Sequence, residues 1–174
     1  MNLKINQIEK VSKFIGNCKK LKKVDLSGNL IKSIPSSIGE LKCLEEFNIS
    51  YNQLNKIPLS IGNLHILKRL ELYNNKIEII PNSFKNLKSI KLLHLGKNNL
   101  KIFPESVAEL QTLESLIINE NPLRKIPESI LEMKSLKSIQ IDNEQAKNSE
   151  DIIQKMKTNG VEIYIVNKKN YLWD

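Results

Sequence analysis

The chain has little with which to do chemistry. Its 174 residues include two histidines and two cysteines. A pair of thiols, Cys18 and Cys43, is too few for a disulfide framework, and no CxxC or Cys/His spacing suggests zinc; two reduced, packed thiols are expected. Aromatic residues make up 5% of the sequence, so a core must be built from Leu and Ile rather than from rings. No apolar run approaches the roughly 18 residues that a membrane-spanning helix needs. The first residues, Met1 to Asn6, lack the long apolar stretch of a secretory signal. The default expectation is therefore a cytoplasmic protein without a membrane span; secretion after removal of a leader would leave the same residues. No glycine-rich phosphate loop is present.

What the chain does have is a basic balance of +8 and an internal repeat. Nine lysines against Glu9, Asp25 and Glu40 put +6 of that charge in residues 1–43. A basic end attracts acidic partners or nucleic acid, but a Lys- and Asn-rich composition follows equally from genome bias, and nucleic acid ranks below protein as a partner.

The repeat organises everything else. Five segments align without gaps: Leu21–Cys43, Leu44–Ile66, Leu67–Ser89, Ile90–Thr112 and Leu113–Ser135. Each has 23 residues and the pattern LxxLxLxxNxLxxIPxxIxxLxx. Position 9 is always Asn: Asn29, Asn52, Asn75, Asn98 and Asn121. Position 15 is always Pro, and five of the chain's six prolines lie in that column.

Each column has a physical cause. Strand side chains alternate, so the apolar residues at positions 4 and 6 share one face and point inward. Residues at 3, 5 and 7 then point out. An Asn amide offers donors and an acceptor together, so a column of Asn can satisfy the backbone groups that stacked turns leave open. Proline disfavours the helical region at the residue before it, which suits an extended Ile ahead of a turn. The apolar pair at positions 18 and 21 has the spacing of one helical turn. No single 23-residue unit can bury its apolar face alone, whereas stacked units bury a continuous core.

These columns resemble the leucine-rich-repeat family. The stretch from Leu67 to Asn75 carries the LxxLxLxxN hallmark. The 23-residue length, with Ile34-Pro-Ser-Ser-Ile-Gly-Glu-Leu41, is similar to the intracellular Ras-scaffold type and to large families of some bacteria, including spirochaetes. The resemblance implies an α/β solenoid: a curved right-handed coil with a parallel sheet on its concave face and short helical or 3-10 turns on its convex face. It also implies a module that binds proteins through the concave face. One domain, 1–174, is expected. Residues 1–20 form a partial repeat, in which Asn6 aligns with Asn29 and Ser12 replaces the proline. Residues 21–135 form the five full repeats, and 136–174 the C-terminal unit.

In that unit Leu136–Ile141 is still a repeat strand, but Glu144 stands where the ladder Asn should be. Asn148 or Ser149 can cap a helix running through Met156 that Gly160 ends, followed by an edge strand over Val161–Val166. Tyr171, Leu172 and Trp173 are expected to cover the last coil. At the other end no polar cap precedes Leu3 and Ile5. Solenoid ends need covering, so either the chain is cut from something longer or this end pairs with a second copy. The second explanation predicts an end-to-end homodimer, and a strictly monomeric mass at high protein concentration would rule it out.

The outward positions carry the candidate site. Lys23, Glu46 and Arg69 alternate in sign across three neighbouring strands and can pair, worth about 0–1 kcal/mol each. Leu92 and Ile117 are apolar where solvent is expected, with Tyr73 and His94 beside them. Such a patch, ringed by polar groups, marks a binding site. The expected partner-binding surface is Arg69, Glu71, Tyr73, Leu92, His94 and Ile117. Catalysis finds no support: His65 and His94 lie apart, no Ser or Cys falls beside His94, and Glu71 with His94 gives two metal ligands where zinc prefers about four. No enzyme, metal or cofactor is expected. Two other classes stay open. One is a regulatory or recognition segment of a larger enzyme or signalling protein; the other is a binder of nucleic acid or anionic surfaces through the basic N-terminal quarter.

Overall fold

A computed structural model describes residues 1–167. Seven parallel strands form one open sheet in sequence order. They are β1 (Lys23–Asp25), β2 (Glu46–Asn48), β3 (Arg69–Glu71), β4 (Leu92–His94), β5 (Ser115–Ile117), β6 (Ser138–Asp142) and β7 (Glu162–Val166). The register advances by one repeat per strand, so Lys23, Glu46, Arg69, Leu92, Ser115 and Ser138 lie side by side. Before β1, Asn2 forms a parallel bridge with Asp25, its repeat equivalent. Inward residues from Val24 and Leu26 through Leu116 and Ile118 are buried in one continuous core.

The Asn column is the seam of the stack. The Nδ2 of Asn52 donates to Leu26 O of the coil before (3.0 Å) and to Ile49 O of its own coil (3.1 Å), while its Oδ1 accepts from Ile31 N (2.9 Å). Asn29, Asn75, Asn98 and Asn121 repeat the arrangement and are all buried. Asn6 is exposed, and among the described residues its Nδ2 donates to Leu3 O and Lys4 O of its own segment.

Each column proline precedes a turn. Its carbonyl accepts the first N–H of that turn, as Ile38 N donates to Pro35 O at 3.0 Å. The turns are 3-10 at Ser36–Glu40, Leu59–Asn63, Asn82–Asn86 and Glu128–Glu132. In the fourth repeat the turn relaxes into a short helix, α1 (Glu105–Ala108). The early turns are held close by glycine. A Cβ on Gly39 would sit 2.4 Å from Ser60 O, and one on Gly62 would sit 2.3 Å from Ser83 O. From Lys85 onward that position carries a side chain, and the next turn is α1.

Position 8 holds a feature that its residue types do not announce. Gly28, Tyr51, Asn74, Lys97 and Glu120 all adopt left-handed backbone, with φ between 52° and 67°. Four of the five are not glycine, at about 1–2 kcal/mol each. The cost is offset by ladder bonds on both sides: Tyr51 N donates to Tyr73 O (2.8 Å) and Asn52 N to Asn74 O (3.2 Å).

The C-terminal unit departs from the expected plan in three ways. An extra helix, α2 (Asn143–Lys147), follows β6 and is fixed by a capping box between Asp142 and Gln145. The next helix, α3 (Glu150–Thr158), starts after Ser149, but neither Ser149 nor Asn148 bonds its free N–H groups. Ser149 Oγ instead accepts from Ile126 N (2.8 Å), and Asn148 Nδ2 donates to Arg124 O (3.0 Å). These two side chains take over the inter-coil bonding where Glu144 ends the Asn ladder. Gly160, at φ 82°, turns the chain into β7. Tyr171, Leu172 and Trp173 lie outside the described residues. At the other end Leu3, Ile5 and Phe14 are exposed, and Cys18 and Cys43, expected to be packed, are exposed as well. Among the described residues no helix is long and apolar enough to cross a membrane.

Candidate recognition face

Strand alternation leaves one row of side chains per position on the outer face of the sheet. Lys23 and Glu46 pair at 2.6 Å as the sign alternation suggests. Arg69 does not join them; its Nε bonds Glu71 on the same strand. A shallow hollow of about 340 Å³ lies over this charged end, lined by Lys23, Asp25, Glu46, Asn48, Arg69 and Glu71 among others.

The centre of the face is aromatic. The Tyr73 ring stacks on His94 at 4.8 Å between centroids, with 30° between the planes. Tyr51 meets the other side of Tyr73 edge-on at 5.2 Å. Three rings thus run diagonally over three coils, and each contact of this kind is worth about 0.5–1.5 kcal/mol beyond burial. Gly96 makes room for them: a Cβ there would lie 3.2 Å from both the Tyr73 ring and His94 Nε2. The Tyr73 hydroxyl donates to Glu120 Oε1 at 3.4 Å, crossing two coils.

Register places Leu92 beside Arg69 and Ser115, and Ile117 beside His94 and Gln140. Both apolar side chains are half-buried on the outer face, outside the core. Ser138 Oγ and Ser115 Oγ bond at 3.0 Å, and Gln140 Nε2 donates to Asn119 Oδ1 at 3.3 Å, so a polar border follows the apolar pair. Burial holds the His94 imidazole below its usual pKa; Glu71 opposes the shift and Arg69 adds to it. Near neutral pH the ring is therefore an uncharged stacking partner. Among the described residues no three His, Cys, Asp or Glu side chains cluster as a metal site would require.

All six residues expected on this surface fall on adjacent strands or, for Tyr73, just past one. Two were missed. Tyr51 and Glu120 both sit at position 8, one coil before Tyr73 and two coils after it. For Tyr51 the signal is the diagonal created by the left-handed residue, which throws position 8 of one coil against position 7 of the next; Glu120 is reached by the length of the Tyr73 side chain.

Proteins of known structure share this architecture. A leucine-rich-repeat protein of Leptospira interrogans matches with a TM-score of 0.84 and 30% identity, over 95% of this chain and 42% of that one. The plant peptide hormone receptor RGFR1, solved in complex with RGF2, matches with a TM-score of 0.77 and 30% identity, over 95% of this chain and 28% of that one. An internalin of Listeria monocytogenes, at 23% identity and a TM-score of 0.77, shows the same fold over 94% of this chain and 46% of that one. The chain spans less than half the length of each. A search among curated proteins found no match. The family model described as a leucine-rich repeat region matches residues 2–98 and again 60–158. Set beside the Asn seam and the 23-residue register, these matches show that the chain belongs to the leucine-rich-repeat family.

Proposed function

We propose that the chain is a protein-recognition module that holds a segment of a protein partner on its strand face. The observation that carries this reading is the ring pair Tyr73–His94, flanked by half-buried Leu92 and Ile117 and bounded by Arg69, Glu71 and Glu120. A rigid aromatic and aliphatic centre with a hydrogen-bonding border is the composition of an interface hot spot. The fold is a common carrier of protein–protein contacts, and the plant receptor it resembles holds a peptide hormone. A regulatory segment of a longer enzyme would use the same face.

Capture from extract of the source organism or its host tests the reading. Leu92→Asp combined with Ile117→Asp is expected to weaken retention of the captured protein at least roughly 30-fold, the equivalent of about 2 kcal/mol at a hot spot. The fold should survive, since neither residue is core. Retention that the double variant leaves intact, and that fades steeply with salt, would replace this reading with an anionic partner on the basic N-terminal quarter.

A further inference from the structure

A second apolar surface lies off the strand face, on the loop side of the coil. Position 13 points to solvent and is polar in three repeats: Ser33, Lys56 and Lys125. In the two middle repeats it is Ile79 and Ile102, exposed by 76% and 81%. They flank two adjoining hollows of about 390 and 690 Å³ that share Lys101, Ile102 and Phe103. The larger lies within the roughly 300–1,000 Å³ of ordinary ligand sites.

The larger hollow has an identifiable cause. Along this side the coils are zipped by one backbone bond per step: Gln53 N to Ile31 O, Lys76 N to Leu54 O and Asn99 N to Ile77 O, at 2.8–3.0 Å. The next donor in the series is Pro122, which has no N–H. The zip therefore stops at the Leu100 carbonyl, between the fourth and fifth coils, and the hollow opens there with Phe103 and Leu123 forming its floor. Pro122 is the sixth proline, the one outside the repeat column.

The rim fixes the kind of occupant. Lys101, Arg124 and Lys125 line the larger hollow against a single acid, Glu105; Glu78 lines the smaller. None of the three cations forms an ion pair among the described residues, although lysines elsewhere on the surface pair with Glu40, Glu45, Glu46, Glu109, Glu114 and Glu128. Three unpaired cations around an apolar floor complement an apolar side chain with carboxylates beside it. We propose that this hollow docks an extended segment of a protein partner, presenting one bulky apolar side chain between Asp or Glu residues. The apolar side chain enters over Phe103 and Leu123, and the acids meet Lys101, Arg124 and Lys125.

Selection from a phage library of random linear peptides on the immobilised chain tests this without a known partner. The most enriched sequence is then made as a fluorescent peptide, and its binding is measured by polarisation. The expected result is enrichment of an apolar residue flanked by Asp or Glu. Binding of that peptide should fall at least tenfold with Ile79→Asp/Ile102→Asp and with Lys101→Glu/Arg124→Glu/Lys125→Glu, and should weaken as salt rises. Leu92→Asp/Ile117→Asp should leave it unchanged, which separates this site from the strand face. All five hollow substitutions are at exposed positions, and an unaltered urea midpoint confirms that the fold is kept. Enriched peptides without acidic bias, peptides that bind all variants alike, or no enrichment would each overturn the proposal. So would a wild-type dimer in sedimentation that Ile79→Asp/Ile102→Asp dissociates, because the occupant would then be a second copy.

Discussion

Replacing Asn98 with Leu is expected to lower the unfolding free energy by about 1–3 kcal/mol, with the shift read from the urea midpoint by circular dichroism. Leu has nearly the shape of Asn, so little of the loss comes from packing. It comes from the four backbone groups that the amide reaches. Nδ2 lies 3.0 Å from Leu72 O, 3.1 Å from Leu95 O and 3.1 Å from Gly96 O, and Oδ1 accepts from Ile77 N at 3.0 Å. Ile77 and Leu72 belong to the preceding coil and are fully buried, so water cannot take the place of the amide. A buried group left without its partner costs about 1–3 kcal/mol, and Ile77 N loses its acceptor outright, while Leu72 O keeps the Asn75 Nδ2 donor at 3.1 Å and loses one of two. Asn98→Asp is expected to be as damaging, since a carboxylate there would face carbonyl oxygens. The exposed first member sets the control: Asn6→Leu should change stability by less than about 0.5 kcal/mol. A wild-type midpoint for Asn98→Leu would mean that the Asn column is decoration on a stack held by apolar contacts alone.

The seam was legible because its cause is chemical and identical in every coil: the position takes two N–H donors and an acceptor in one side chain, which an amide supplies and a hydroxyl or carboxylate does not. The inward Leu and Ile columns were legible for the same reason. Position 8 was not. Its left-handed backbone is imposed by the ladder bonds around it, so Gly28, Tyr51, Asn74, Lys97 and Glu120 share a conformation without sharing any chemistry. The strand face was read correctly as a row of columns, which is why Leu92 and Ile117 stood out. Columns alone do not capture Tyr51, which joins the face by a diagonal contact with Tyr73. The loop-side hollow had a signal of the same kind in Ile79, Ile102 and the off-column Pro122. That signal lies outside the strand columns, where the repeat fixes no residue type. The C-terminal unit was only half legible: losing the Asn at 144 foretold the end of the ladder, but not that Ser149 and Asn148 would each bond the previous coil.

Gly62→Ala is expected to cost roughly 2–3 kcal/mol, a large loss for one methyl group, and to lower the thermal midpoint accordingly. The added carbon would lie 2.3 Å from Ser83 O and 2.8 Å from Ser83 Cβ. The first of these is backbone, so no rotamer change relieves the contact and two coils must move apart. Ser83→Ala alone should be close to neutral, because its buried Oγ has no hydrogen-bond partner to lose among the described residues. Combining Gly62→Ala with Ser83→Gly should recover little, since the carbonyl remains. The chain itself shows what accommodation takes: one coil later the equivalent residue is Lys85, and the facing turn has opened from 3-10 into α1. The tight glycine steps thus occupy the N-terminal half, and the convex side loosens where the strand face turns apolar and the loop side opens at Pro122. If Gly62→Ala kept the wild-type midpoint, the close approach at the early turns would not be what sets the spacing of the coils, and the contrast with the fourth coil would lose its cause.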